Sequence, residues 1–179
     1  MKLIQSEREI DCIYLHCTAT EPGRAVLVEK IRRYHIDVRH FRDIGYHYVV
    51  QPSGSIGDGR DIHDGGAHVK GDNKTTIGVS MVGEWNSVMP QRDDIQLINT
   101  GKLLASLCFI YGIKPDTYGL LLHREAHEHR PFVPNPRKSC PGMNIKGTEM
   151  RLFVKHFYDQ NEMSWINQTK DPFDLKGVI

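Results

Sequence analysis

Short runs of apolar and β-branched residues alternate with helical patterns along this chain, and this alternation constrains the fold more than any other sequence feature. A mixture of strands and helices predicts an α/β domain with one central sheet. A Pro-Ser-Gly turn at 52–54 predicts a hairpin that continues into 55–57. The predicted strands cover 11–16, 45–51, 76–84 and 118–123, and the predicted helices cover 25–36, 94–111 and 148–158.

The length of 179 residues fits one domain and allows a sizeable core. We place this domain over 1–160 and interpret the mostly polar segment 161–179 as a loosely held tail. The four cysteines are irregularly spaced and form no C-x-x-C pair, a pattern that does not favour a disulfide framework.

Charge and hydropathy argue against two classes of partner. The formal net charge is +1, whereas a dedicated nucleic-acid binder normally has a basic excess, so we expect no nucleic-acid partner. No segment approaches the roughly 20 apolar residues of a transmembrane helix, so we expect no stable membrane insertion. The first residues also lack the apolar core of a secretory signal, so we expect no signal peptide.

Two predicted buried strands end in histidine, at His16 and His123. The carboxyl ends of strands are where open α/β sheets place their ligands. Cys140 follows within the sequence KSCPG. Two imidazoles and a thiolate suit zinc, and three protein ligands leave a fourth tetrahedral position open, as in catalytic zinc sites.

These residues leave alternatives open. A single histidine at a strand end is more often structural than a metal ligand, and the segment HREAHEHR also offers His127 and His129. His123 is favoured because it closes a strand, whereas the other two fall in a charged, proline-rich loop. A structural zinc protein is a further alternative, but it requires four closely spaced ligands, which the sequence does not contain.

Five motifs occur in an order that resembles a known family. They are HCTAT at 16–20, DIGYHYVV at 43–50, GAHVKGDNKTTIGVSMVGE at 66–84, HRE at 123–125 and KSCPG at 138–142. Together they resemble the zinc-dependent N-acetylmuramoyl-L-alanine amidases of the type-2 amidase and peptidoglycan recognition protein superfamily, and especially its single-domain phage members. The resemblance covers roughly residues 10–158.

The resemblance implies a central mixed β-sheet flanked by helices, with a zinc (Zn²⁺) site in a surface groove. It implies hydrolysis of the amide between the lactyl group of N-acetylmuramic acid and L-alanine of the stem peptide, with peptidoglycan as the substrate. It also implies roles for individual residues: zinc ligands His16, His123 and Cys140, catalytic residues Tyr46 and Lys138, and groove residues His68, Lys70 and Asn73 that contact the substrate. For the glycine-rich segment of these groove residues, a flexible surface loop is the alternative.

Three further residue interpretations accompany these assignments. Strand alternation places His47 on the face opposite to Tyr46, so we expect a buried, hydrogen-bonded structural histidine. Arg39 either flanks the groove or is solvated. The prolines between His123 and Cys140 predict a stiff loop beside the metal site, in a span longer than in the phage members of the family.

The biological role has alternatives. We favour a phage endolysin that is made in the host cytoplasm, acts as a monomer and reaches the cell wall after release. A cytoplasmic amidase that recycles muropeptides is an alternative, and so is a non-catalytic peptidoglycan-recognition module. The cysteine ligand and the two catalytic residues disfavour the binding-only alternative, because family members that only bind typically lack the cysteine.

Overall fold

The computed structural model describes residues 3, 5–89, 91–134 and 138–159. The strands are β1 (Cys12–Cys17), β2 (Tyr48–Val50), β3 (Ile56–Asp58), β4 (Thr76–Met81) and β5 (Leu120–Leu122). The helices are α1 (Val28–Arg33), α2 (Ile95–Ile110), α3 (Ala126–His129) and α4 (Gly147–Asp159). The predicted tail, 161–179, lies outside the described residues.

The five strands form one mixed sheet in the order β3-β2-β4-β1-β5. Strand β1 pairs in parallel with β4 on one side and β5 on the other. Strand β2 pairs in parallel with β4, and its antiparallel pairing with β3 is the predicted hairpin. The predicted α/β fold with a central mixed sheet flanked by helices is therefore confirmed.

The main core lies between one face of the sheet and helices α2 and α4. Alternate residues of β1, including Ile13 and Leu15, pack there with Leu104 of α2 and Val154 of α4, all of them fully buried. The remaining residues of β1 point to the other face, where Tyr14 packs with loop residues. Because β1 is buried on both faces, its continuous apolar character follows from its central position.

Polar groups fix the start of α2. The carboxylate of Asp94 accepts hydrogen bonds from the backbone N–H groups of Gln96 and Leu97, at 2.8 and 3.4 Å, which caps the helix. The buried amide of Gln96 donates to the carbonyl groups of Val50 and Val82, at 2.8 and 2.9 Å. These bonds join α2 to the carboxyl ends of β2 and β4.

Several predicted boundaries need correction. The predicted strand 118–123 is limited to Leu120–Leu122, and His123 begins a short 3₁₀ turn. The predicted strand 45–51 begins only at Tyr48, so Tyr46 precedes it. The predicted helix 25–36 begins at Val28 and continues as a π-helical turn over Tyr34–Val38. Among the described residues, no helix is long and apolar enough to span a membrane.

Candidate metal centre and substrate groove

The parallel pairing of β1 and β5 brings two predicted ligands together. His16 lies near the end of β1, His123 directly follows β5, and their ring centroids are 4.6 Å apart. Cys140 joins them, and one donor atom from each of the three residues lies within 4.8 Å of the others. This cluster contains the three predicted ligands and neither of the alternatives, His127 and His129.

Contacts with the strands position the Cys140 thiol. Its Sγ lies 3.8 Å from Nδ1 of His16 and accepts a hydrogen bond from the backbone N–H of Cys17 at 3.4 Å. The backbone N–H of Arg124 donates to the carbonyl of Cys140 at 3.0 Å. The Arg124 guanidinium donates to the carbonyl of Gly142 at 2.8 Å. The residue after His123 therefore ties the cysteine loop to the end of β5.

Burial keeps both imidazoles neutral. Desolvation, followed by the positive charge of Lys138, lowers the pKa of His123 from 6.5 to about 4. Desolvation and the neighbouring His123 lower the pKa of His16 well below its usual value. A neutral imidazole has a lone pair available for a metal ion. Contact with Cys17, and then burial, raise the pKa of Cys140, so metal binding must displace a thiol proton.

Tyr46 and Lys138 lie beside this cluster, where the family resemblance requires catalytic residues. The Tyr46 ring packs against His16 with 5.2 Å between centroids. Burial, and then the neighbouring cysteines, raise the pKa of Tyr46, so the hydroxyl keeps its proton at neutral pH and acts as a donor. Lys138 is exposed and lines the same cavity.

The cluster opens into a cavity of about 860 Å³. The charged residues that line its described part are all cationic: Arg39, Lys70, Arg124 and Lys138. A cavity with this charge favours a substrate that has carboxylates.

The predicted groove residues differ in their surroundings. Lys70 is exposed at the cavity, as a residue that contacts substrate should be. His68 lines the cavity but is only 7% exposed, and its Nδ1 lies 3.2 Å from Nε2 of His16. The side-chain oxygen of Asn73 accepts hydrogen bonds from the backbone N–H groups of His68 and Val69. His68 and Asn73 thus have internal contacts, and their contact with substrate stays a prediction.

Three further residues line the cavity, and their roles at the site could not be predicted from the sequence. His35 lines the cavity, and its Nδ1 accepts a hydrogen bond from the N–H of Gly45 at 2.9 Å, next to Tyr46. Arg39 also lines the cavity and is exposed there, so it flanks the groove and is solvated as well. His127 lines the cavity with its Nδ1 2.8 Å from the carbonyl oxygen of Val133. No local pattern distinguishes these residues from ordinary polar surface residues.

Comparison with known protein families shows to which family the chain belongs. The model of the family described as N-acetylmuramoyl-L-alanine amidase (Amidase_2) matches residues 6–143. The chain belongs to this family. The assignment predicted from the five motifs is confirmed, and with it the amidase enzyme class.

Individual relatives of the amidase agree. It is 41% identical to the endolysin of Escherichia phage T7 over 139 residues, which cover 76% of this chain and 83% of the phage protein. It is 31% identical to the human N-acetylmuramoyl-L-alanine amidase over 118 residues, which cover 66% of this chain and 19% of the human protein. The solved structure of N-acetylmuramoyl-L-alanine amidase LysC from Clostridium intestinale superposes with a TM-score of 0.68 at 23% identity, covering 83% of this chain and 87% of LysC. This last likeness concerns the fold.

Proposed function

We propose that the amidase uses zinc to hydrolyse the amide between the lactyl group of N-acetylmuramic acid and L-alanine of the stem peptide, as a phage endolysin. The observation that carries this proposal is the convergence of His16, His123 and Cys140 beside Tyr46 and Lys138, in the lining of a cavity whose charged residues are cationic.

The donor set fits zinc. Two neutral imidazoles and one sulfur form a borderline-soft set, which zinc prefers over the oxygen sets that hold magnesium or calcium. The donors come from three different segments, and three protein ligands are typical of zinc sites that retain an open position for catalysis. When bound, zinc supplies Lewis acidity, which polarises a carbonyl and brings the pKa of a water molecule to about 7.

The amino acids of the chain would perform the remaining tasks. The Lys138 ammonium group would stabilise negative charge on the oxygen of the scissile carbonyl, as the donors of an oxyanion hole do. The Tyr46 hydroxyl, held protonated by its surroundings, would donate a hydrogen bond to the same oxygen or orient the attacking water. His16 and His123 would stay neutral and accept no proton during turnover.

The cavity suits the stem peptide. Lys70 and Arg39 lie at the cavity lining and would pair with peptide carboxylates. Asn73 and His68 shape the loop that presents Lys70 to the cavity. Peptidoglycan, as glycan strand plus stem peptide, is therefore the proposed partner, and the amidase would act on it as a monomer.

The endolysin role is supported by the 41% identity to a phage endolysin over most of both chains. We propose that the amidase is made in the host cytoplasm and reaches the cell wall after release. Activity on intact, purified cell-wall sacculi would support this role. Activity limited to soluble muropeptides would instead favour muropeptide recycling.

Removal of the metal tests the chemistry. We expect chelator-treated protein to lose the release of L-alanine amino groups from purified peptidoglycan, and added zinc to restore it. We expect Cys140→Ser to lose bound zinc and to reduce turnover by about 10²-fold or more, with its circular dichroism unchanged. Metal content is measured by atomic spectroscopy and the cleaved bond by mass spectrometry of the digest.

The matched control is Ser139→Ala in the same loop, because the Ser139 side chain is exposed and, among the residues that the structure describes, Ser139 makes hydrogen bonds only through its carbonyl oxygen. This variant should retain zinc and activity. Full amine release by metal-free protein, or by zinc-free Cys140→Ser, would refute the metal role. Saturable peptidoglycan binding without cleavage by the zinc-loaded protein would identify a binding-only module.

A further inference from the structure

His68 lies directly behind one of the metal-binding histidines. The imidazole of His16 has its Nδ1 3.8 Å from Sγ of Cys140 and its Nε2 3.2 Å from Nδ1 of His68. Both rings are buried, with 1% of His16 and 7% of His68 exposed. The two nitrogens of His16 therefore face different partners, with the metal-binding cluster on one side and a second histidine on the other.

This arrangement determines where the protons lie. A nitrogen that binds a metal ion has no proton, so binding through Nδ1 places the proton of neutral His16 on Nε2. That N–H points to Nδ1 of His68, which must accept it. The proton of neutral His68 then lies on its own Nε2, a buried atom without a hydrogen-bond partner in the part of the chain that the structure describes.

The surrounding loop and strand hold the His68 ring in this place. Asn73 accepts hydrogen bonds from the N–H groups of His68 and Val69, at 2.8 and 2.9 Å, which fixes the backbone on either side of the ring. The ring lies over Gly78 of β4, where an added Cβ would come within 2.6 Å of it. A side chain at position 78 would displace the ring, so the absence of a side chain in β4 allows this contact.

We infer that His68 is a positioning residue that accepts a hydrogen bond from Nε2 of His16 and thereby fixes the tautomer and orientation of this metal ligand. Ligating histidines almost always donate their second N–H to a carboxylate, a carbonyl or water, and loss of that acceptor typically costs 10–100-fold in metal affinity or activity. Here a neutral imidazole takes the place of that acceptor. The inference depends on the zinc site of the proposed function, and it assigns to His68 a role other than substrate contact.

Two variants of equal size separate hydrogen bonding from packing. In His68→Asn, the side-chain oxygen branches from the same carbon as Nδ1 and retains the acceptor, whereas His68→Leu puts a methyl group there. We expect zinc affinity, measured by competition with a fluorescent chelator, to fall 10–100-fold in His68→Leu and to be largely restored in His68→Asn. His63→Leu is the control, because His63 is exposed and lies outside the cavity lining, and its zinc affinity should not change.

Kinetics distinguish positioning from substrate contact. With zinc saturating, positioning predicts a lower kcat with little change in KM for His68→Leu. A higher KM with unchanged kcat and unchanged zinc affinity would overturn the inference and support substrate binding. Equal losses of zinc affinity in the Asn and Leu variants would also overturn it, since packing alone would then explain the effect.

A measurement on the unaltered protein remains informative if a variant fails to fold. Long-range ¹H–¹⁵N correlation spectra of the zinc-loaded protein report the protonated nitrogen of each histidine. We expect the proton of His16 on Nε2 and that of His68 on Nε2. A proton on Nδ1 of His68 would contradict the inference. Failure of the unaltered protein to bind zinc would instead refute the proposed function.

Discussion

His47 illustrates, at the scale of single residues, how burial decides what a histidine does. Its Nδ1 accepts a hydrogen bond from the N–H of Gly78 at 2.9 Å, and its Nε2 lies 3.1 Å from the carbonyl oxygen of Asp64. Only 1% of the residue is exposed. The predicted structural role of His47 is therefore confirmed, and both nitrogens have partners when the ring is neutral with its proton on Nε2.

This environment makes stability depend on pH. Burial is the main cause that lowers the pKa of His47 from 6.5 to about 4. Between these values the unfolded chain binds a proton that the folded chain does not, so the free energy of unfolding falls as pH falls from 6.5 towards 4. The contribution of His47 to this loss is at most about 3 kcal/mol.

The variant His47→Asn tests this contribution, because its side-chain oxygen retains the acceptor for Gly78 but does not titrate. Urea unfolding near neutral pH and at about pH 4.5 should show a smaller acid-induced loss of stability than in the unaltered protein. The buried histidines of the candidate metal site are present in both proteins, so the difference between their acid-induced losses of stability reports His47. Equal losses in both proteins would contradict the assignment of the shift to this residue.

At the scale of secondary-structure elements, the contact between α2 and α4 depends on a glycine. Gly101 is buried in α2, where an added Cβ would lie 2.6 Å from the ring of Phe153 and 2.9 Å from that of Phe157. These two rings of α4 pack edge to face with 5.0 Å between centroids. The glycine therefore provides the space that the aromatic pair occupies.

We expect Gly101→Ala to destabilise the amidase by about 1–3 kcal/mol, because the added methyl group overpacks this contact. Helix propensity alone predicts the opposite sign, since alanine is favoured over glycine in a helix by about 1 kcal/mol. Urea unfolding of a double-mutant cycle with Phe153→Leu is the measurement, and the cost should shrink in the leucine background. A stabilising Gly101→Ala would show that the helices shift apart without cost.

Packing also explains which elements the sequence predicted. Both α2 and α4 were predicted to within a residue or two. The apolar residues of α4 repeat with the helical period, whereas α2 is buried around most of its circumference and was recognised as a long apolar segment. The strands that flank the site were predicted too long. The sequences around Tyr46 and His123 are typical of strands, yet both residues lie just outside strands that pair over only three residues. Pairing partners, which a local pattern does not contain, set these ends.

At the scale of the whole molecule, Arg130 joins segments that are distant in sequence. Its guanidinium pairs with Asp11 before β1, at 2.6 Å, and with Asp72 in the loop before β4, at 3.2 Å. Asp72 is only 4% exposed and also accepts a hydrogen bond from the Tyr14 hydroxyl at 2.8 Å. This network holds the segment after α3, including Val133 at the cavity wall, against the sheet.

We expect Arg130→Met to lower the free energy of unfolding by about 3 kcal/mol, because it leaves the buried Asp72 carboxylate without its cation. Lys155→Met is the matched control: the Lys155–Asp159 pair is about half exposed, at 55% and 54%, and its loss should cost less than about 1 kcal/mol. Urea unfolding measures both. Equal effects would show that the network is as solvated as the surface pair.

The sequence alone determined the α/β class, the main elements and, through its motifs, the family and the three candidate ligands. Strand and helix patterns are local, and the five motifs are contiguous, so both can be read without knowledge of the fold. The order of the strands in the sheet decided how the site residues lie relative to one another. Only the placement of β1 between β4 and β5 brings His16 beside His123, and places His68 behind His16.

The burial of His68 and the network around Arg130 were equally decided by the tertiary structure. His68 lines the cavity as predicted, but Asn73 fixes the backbone beside it and the bare backbone of Gly78 leaves room for its ring, so the residue is almost fully buried. Arg130 pairs with Asp11 across more than a hundred residues of chain. The physical reason is common to both: desolvation and pairing depend on neighbours from distant segments, which hydrophobic periodicity does not specify.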